Sequence, residues 1–211
     1  MVRFDGKVVF ISGVARGQGR SHAVAFAKEG ASIIGIDLCR DQPLSATDWV
    51  RPRTCSRPER LVRAAGGLIV TTKADVRDFD QIRSATATGV EAFGGIDIVV
   101  ANAAVLGGAG PLWEIDEDVF HNVIETNLIG VWKTLKATIP EVLKREGHRS
   151  VVVTSSGAGV KGSANIGDYV ASKHGLLGLV KTLARELGPH GVRPMSCCPA
   201  TSTPRCSRTP R

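Results

Sequence analysis

Tyrosine is nearly absent. The 211 residues contain one, Tyr169, with two methionines and five cysteines. Any chemistry that needs a phenol must fall on that residue. The cysteines show no spacing with histidine of the metal-ligand kind, so no metal is expected, and they are not the dense set of a disulfide scaffold. They are read as five free thiols. No apolar run approaches the roughly 18 residues that a membrane span needs. Arg3, Asp5 and Lys7 precede a short apolar run, unlike a signal peptide, and a cytoplasmic protein is expected. A hydrophobic share of 43% and a charged share of 22% exclude a disordered or fibrous chain. The length suits one domain able to bury its own core.

The net charge is +7, but the basic excess is local. Between Asp48 and Arg60 four arginines (Arg51, Arg53, Arg57, Arg60) meet two acids, and from Arg193 to Arg211 four more meet none. These two stretches hold +6 of the +7 and also Cys55, Cys197, Cys198 and Cys206. With no basic stripe elsewhere, no nucleic-acid partner is expected.

The rest alternates between two patterns. Lys7–Ser12, Ser32–Asp37, Leu68–Lys73, Asp97–Ala101 and Ser150–Thr154 are short, continuous β-type runs. Gln18–Glu29, Asp78–Phe93, Asp116–Lys136 and Asp168–Leu187 have helical spacing. Continuous apolar strands between helices predict a parallel sheet covered on both faces, hence a doubly wound, Rossmann-type α/β domain.

The first run leads into Ser12-Gly13-Val14-Ala15-Arg16-Gly17-Gln18-Gly19 and then a helix. Residues without Cβ let backbone N–H groups approach a pyrophosphate at the helix N-terminus. Asp37 stands eighteen residues past Gly19, at the end of the second strand. A carboxylate there accepts hydrogen bonds from ribose hydroxyls and repels a 2′-phosphate, which favours NAD over NADP. Arg16 is a further candidate to reach a phosphate, and a purely structural turn with a capping Asp37 is the alternative. Tyr169 and Lys173 are four apart and share a helix face. A cation beside a phenol lowers its pKa and suits it to proton transfer. Ser156 lies thirteen residues earlier, just past a strand end, where parallel sheets carry their sites.

In these residues the chain resembles the short-chain dehydrogenase/reductase family, from about Lys7 to Arg193. Gly13, Gly17 and Gly19, with Gln18 between them, match its cofactor turn. Asp75-Val76 resembles its adenine contact. Asn102-Ala103-Ala104 is similar to its Asn-Ala-Gly motif, with Ala104 in place of the last glycine. Asn127, Ser156, Tyr169 and Lys173 match its catalytic tetrad. The resemblance implies a homo-oligomer, expected here as a dimer through helices 116–136 and 168–187, and a small alcohol or ketone as substrate. Tyr169 would exchange the substrate proton as hydride passes to or from NAD. Lys173 would hold the nicotinamide ribose and depress the Tyr169 pKa, Ser156 would bind the substrate oxygen, and Asn127 would hold a relay water. Ser155 remains an alternative serine, and Asn127 could serve only to kink its helix.

The long segment after Asp37 resembles the extended-loop group of the family, the mycofactocin-coupled, carveol-dehydrogenase-like enzymes. The expected organisation is one domain over 1–192 with an irregular insert at about 38–58, then an irregular basic tail over 193–211. No Val, Ile, Leu or Phe follows Val192, so the family's last helix and strand are expected to be missing. Codons for Ser202–Pro210 can be chosen whose neighbouring frame reads Val-Asp-Thr-Pro-Met-Leu-Gln-Asn-Pro, similar to what the family carries there; a stretch translated out of frame is expected, and another near 45–60. Two other readings stay open: a catalytically impaired dinucleotide-binding module, and a quinone reductase of the same fold.

Overall fold

A computed structural model of the chain describes residues 2–40 and 56–199. Six parallel strands form one sheet: β1 (Val8–Ser12), β2 (Ser32–Asp37), β3 (Ile69–Lys73), β4 (Ile98–Ala101), β5 (Arg149–Thr154) and β6 (Val192–Cys197), in the order β3-β2-β1-β4-β5-β6. The order reverses between β1 and β4, which opens a crevice at the carboxyl ends of those strands. Alternation along β1 divides the core. Val8 and Phe10 pack on one face, and Val9 and Ile11 on the other. Helices α1 (Gly17–Lys28) and α2 (Ser56–Ala64) cover the second face. Helices α3 (Phe79–Phe93), α4 (Glu117–Ile124), α5 (Gly130–Leu143) and α6 (Gly167–Leu187) complete the domain. Asp78 and Asp116 cap α3 and α4 by accepting backbone N–H bonds in the first turn.

Three expectations change. The helix foreseen over Asp116–Lys136 continues to Leu143 and contains a π-turn, Glu125–Ile129, where the Gly130 N–H reaches back to Glu125 O. Pro140 sits inside α5 without ending it.

The irregular tail does not begin at Arg193. Residues 193–197 continue β6, and Val151 pairs with Pro194. Strand pairing is a backbone property, so a lack of large apolar side chains does not prevent it, and an outermost strand tolerates proline. Among the described residues no element follows β6. The irregular insert at about 38–58 is likewise trimmed, since Ser56–Pro58 are helical; its remainder, 41–55, and the tail from 200 onward lie outside the described residues.

The expectation of five free thiols also fails. Cys39 is disulfide-bonded, whereas Cys197 and Cys198 are free and exposed. No helix among the described residues is long and apolar enough to cross a membrane, and those residues hold no cluster of metal-ligating side chains.

Candidate active site

The cleft at the carboxyl ends of the strands is lined by Gly13, Arg16, Gly17, Gln18, Asp37, Asp75, Val76, Asn102, Ala103, Ser156, Tyr169 and Lys173. Gly19 and Asn127 sit behind this lining. The cleft is thus built from residues far apart in the chain.

Its first wall is made by close approach. A Cβ on Gly19 would lie 2.1 Å from the carbonyl oxygen of Gly13, and one on Gly13 would lie 2.9 Å from Ala103 Cα. Gly13 also has a φ of +73° and Gly17 one of +54°. Ser12 then joins two strand ends. Its Oγ accepts the N–H groups of Asn102 and Ala103 at 3.0 and 3.2 Å, while Asn102 Nδ2 donates to Ser12 O at 3.1 Å. The N-terminus of α1 receives no side-chain cap from Arg16. Its first N–H groups, which lack intrahelical partners, are suited to an anion.

Asp37 is buried, and its two oxygens accept the N–H groups of Ala15 and Cys39, each at 2.9 Å. The carboxylate is therefore fixed at the mouth of the turn. Asp75 is held as firmly. Arg77 grips it through Nε at 3.0 Å and Nη2 at 2.6 Å. Burial works to raise the Asp75 pKa, but the Arg77 hydrogen bonds and charge outweigh it and hold the carboxyl below its ordinary value.

On the opposite wall, Lys173 is fully buried. Its Nζ donates to Thr154 O at 2.9 Å and lies 5.4 Å from the Tyr169 ring centroid. Burial lowers its pKa to about 8. Burial also pushes the Tyr169 phenol above its ordinary value, against a smaller opposing effect of its hydrogen bond with Ser156. The expected net depression of the phenol by Lys173 is thus not present in this state. Desolvation dominates for both groups.

The two candidate serines separate by their partners. Ser156 lies near enough to the phenol to oppose the rise of its pKa, and its Oγ accepts the Ala158 N–H at 3.2 Å, whereas the buried Ser155 Oγ donates to Lys173 O at 3.1 Å. Asn127 is wholly buried in the π-turn. Its Oδ1 accepts the Val105 N–H at 2.8 Å, and its Nδ2 donates to Val105 O at 2.9 Å and to Ser172 Oγ at 3.2 Å. The amide is engaged by protein groups on both sides. It clamps the loop after β4 to the bulged helix.

Residues that the sequence did not single out complete the arrangement. Ser12 joins the β1 and β4 ends, Ser172 links Asn127 to Tyr169 O, and the carbonyl of Thr154 anchors Lys173. Ser12 had one usable signal, its position as the last strand residue before the first glycine. Thr126 Oγ1 and Thr154 Oγ1 are buried without a protein partner, and both residues line the cleft. Two unsatisfied hydroxyls beside a glycine turn fit a polar ligand there.

A doubly wound sheet with a glycine turn at its crevice and a Ser-Tyr-Lys wall defines a class of dinucleotide-dependent oxidoreductases. The model of the short chain dehydrogenase family matches residues 7–209. The chain belongs to that family, and it stands with the carveol-dehydrogenase-like members. It is 41% identical over 204 residues to (-)-trans-carveol dehydrogenase of Rhodococcus erythropolis, covering 94% of this chain and 72% of that protein. It is 45% identical over 197 residues to an uncharacterised NAD-dependent oxidoreductase of Mycobacterium tuberculosis, covering 92% and 70%. The crystal structure of carveol dehydrogenase from Mycobacterium avium in complex with NAD superposes with a TM-score of 0.90 at 46% identity, over 94% of this chain and 72% of that one.

Proposed function

We propose that the chain is an NAD-dependent oxidoreductase that interconverts a secondary alcohol and a ketone. The observation that carries this reading is the meeting of Ser156, Tyr169 and Lys173 in the cleft whose other wall is the crowded glycine turn. The residues fit the cofactor. Gly13 and Gly19 allow the close backbone approach that leaves room for a pyrophosphate at the α1 N-terminus, Gly17 makes the left-handed turn between them, Asp37 faces the ribose position, and Asp75-Val76 with Asn102-Ala103 wall the adenine side. When bound, the nicotinamide supplies the hydride chemistry.

The chain's own groups manage the proton and the position. Tyr169 donates from its phenol to the ketone oxygen in the reductive direction and accepts that proton back in the oxidative one. Ser156 Oγ bonds the same substrate oxygen and holds it against the phenol. Lys173, with its stem enclosed and its charge near the ring, favours the phenolate when alcohol is oxidised. Asn127 keeps the β4 loop and α6 in fixed relation.

The test is direct. Quenching of tryptophan fluorescence should show tighter binding of NADH than of NADPH. NADH should then appear when NAD is mixed with a panel of cyclic secondary alcohols. Equal affinity for the two cofactors would remove the role of Asp37. NADH binding with no turnover on alcohols, ketones or quinones would favour an impaired dinucleotide-binding module, and turnover on quinones alone would favour a quinone reductase. The same reading has two copies pairing through α4–α5 and α6, a region where Trp132 is 45% exposed. Light scattering should give a dimer mass.

A further inference from the structure

At the opposite end of the strands from the dinucleotide cleft lies a second cavity, of about 330 Å³. Water in bulk takes about 30 Å³ per molecule, so the space suits one small ligand. It lies across the amino ends of β1, β4, β5 and β6, and its lining has a single electrostatic character. Arg3, Lys7, Arg149 and Arg193 contribute to it, Phe4 and His148 supply rings, and no lining residue is acidic.

Two of these cations are already compensated. Lys7 Nζ pairs with Asp97 at 3.0 Å, and Arg3 pairs with Glu29 at 2.9 Å. Arg149 and Arg193 have no carboxylate partner among the described residues. Arg149 Nη1 donates to the carbonyl of Arg145 at 2.7 Å, and Nη2 donates to that of His190. Its Nε is buried and has no hydrogen-bond partner. A buried, unpartnered donor on an uncompensated guanidinium is an unfavourable arrangement for a chain without a ligand, and an oxyanion would satisfy both the charge and the N–H. Fixed planar guanidinium groups favour oxyanions that accept more than one hydrogen bond.

We propose that this cavity is a binding site for a small multivalent oxyanion, held by Arg149 and Arg193 and separate from the dinucleotide cleft. Two classes of compound share that chemistry, phosphorylated metabolites and polycarboxylates. The proposal does not depend on the enzymatic reading, because none of its residues lines the cleft.

The experiment is isothermal titration of the full chain with pyrophosphate and, separately, with citrate. The glycine turn is itself a candidate anion site, so two variants locate the binding. One site should survive in Arg16→Glu and weaken at least tenfold in Arg193→Glu. Arg193 is an exposed edge-strand side chain, and its replacement leaves the core untouched. Arg149→Lys, which keeps a charge but removes the Nε donor, should weaken the same site. Arg83→Glu, an equal charge change on α3, should leave it intact. Binding of pyrophosphate alone assigns a phosphorylated ligand, binding of citrate alone a polycarboxylate, and binding of both the shared chemistry. The proposal falls if neither anion binds at millimolar concentration, if Arg16→Glu removes all binding, or if Arg83→Glu weakens it as much as Arg193→Glu does.

Discussion

The two walls of the cleft are built on opposite principles. The β1–α1 wall is shaped by side chains that are missing: Gly19 stands where any Cβ would strike the Gly13 carbonyl. The α6 wall is made of polar side chains that are present and buried at a cost: Lys173 is 1% exposed, and its pKa falls to about 8. The first wall gives up conformational restriction of the unfolded chain to gain a close backbone approach. The second gives up solvation to bring a phenol, a hydroxyl and an amine together in one wall. Damage to the first should therefore appear in cofactor binding, and damage to the second in rate and in the pH dependence of stability.

The largest expected effect tests the second wall. Tyr169→Phe removes the only phenol and leaves the ring, so the rate should drop by about 10²–10⁴-fold, the size of a general acid/base contribution. NADH affinity should change little, because the turn is untouched. Steady-state rates beside fluorescence titration check both halves. Full activity in Tyr169→Phe would end the proton-transfer role.

Next comes the crowded glycine. In Gly19→Ala the added methyl carbon would be 2.1 Å from a backbone oxygen, and backbone cannot rotate aside. NADH affinity should fall by about 100-fold or more, equivalent to roughly 3 kcal/mol. Circular dichroism should show the helices retained. Unchanged affinity would mean that the turn has slack.

The glycines and the Tyr169–Lys173 spacing were legible in the sequence because each depends on identity at fixed intervals. What was not legible depends on burial or on backbone alone. The π-turn at Glu125–Ile129 adds one residue to a helical repeat, and periodicity does not register that. Residues 193–197 of β6 pair through main-chain groups whatever their side chains. Ser155 and Ser156 are neighbours of the same type, and only the direction of each hydroxyl separates them. The sequence places a lysine beside the phenol, but it does not show that enclosure drives the Tyr169 pKa up rather than down. The helix α2 did carry a signal, Pro58 in its first turn, but the basic composition around it obscured the pattern.

A third test weighs the cost of the buried lysine. The folded chain releases the Lys173 proton near pH 8, against 10.5 for the ordinary side chain. Between those values the unfolded chain holds more protons, so stability should climb with pH across that window. A shift of that size corresponds to about 3 kcal/mol of destabilisation at neutral pH, reduced by about 1 kcal/mol for the hydrogen bond to Thr154. Lys173→Met should therefore raise the unfolding free energy at pH 7 by roughly 1–3 kcal/mol, with the gain shrinking toward pH 10. Activity should fall in the same variant. Urea titrations at several pH values measure the trend, and a variant less stable at pH 7 would show that Lys173 is not strained by its burial.

The smallest effect separates two glycines within one turn. Gly17 has a φ of +54°, but a Cβ there would have nothing within 4 Å, whereas Gly19 has ordinary φ and no room. Gly17→Ala therefore meets only the conformational penalty of the left-handed region, about 1–2 kcal/mol for a residue with a Cβ. That strain is carried equally by the free and the bound chain. The expected outcome is a Tm lower by roughly 2–4 °C per 1 kcal/mol for a chain of this size. NADH affinity should stay within about threefold of the parent, less than 1 kcal/mol. Differential scanning fluorimetry and the same fluorescence titration give the two numbers. A loss of affinity as large as that of Gly19→Ala would mean that the bound cofactor fills the open space beside Gly17. Both glycines would then serve ligand approach, and the division of the turn into a crowded position and a merely twisted one would not hold.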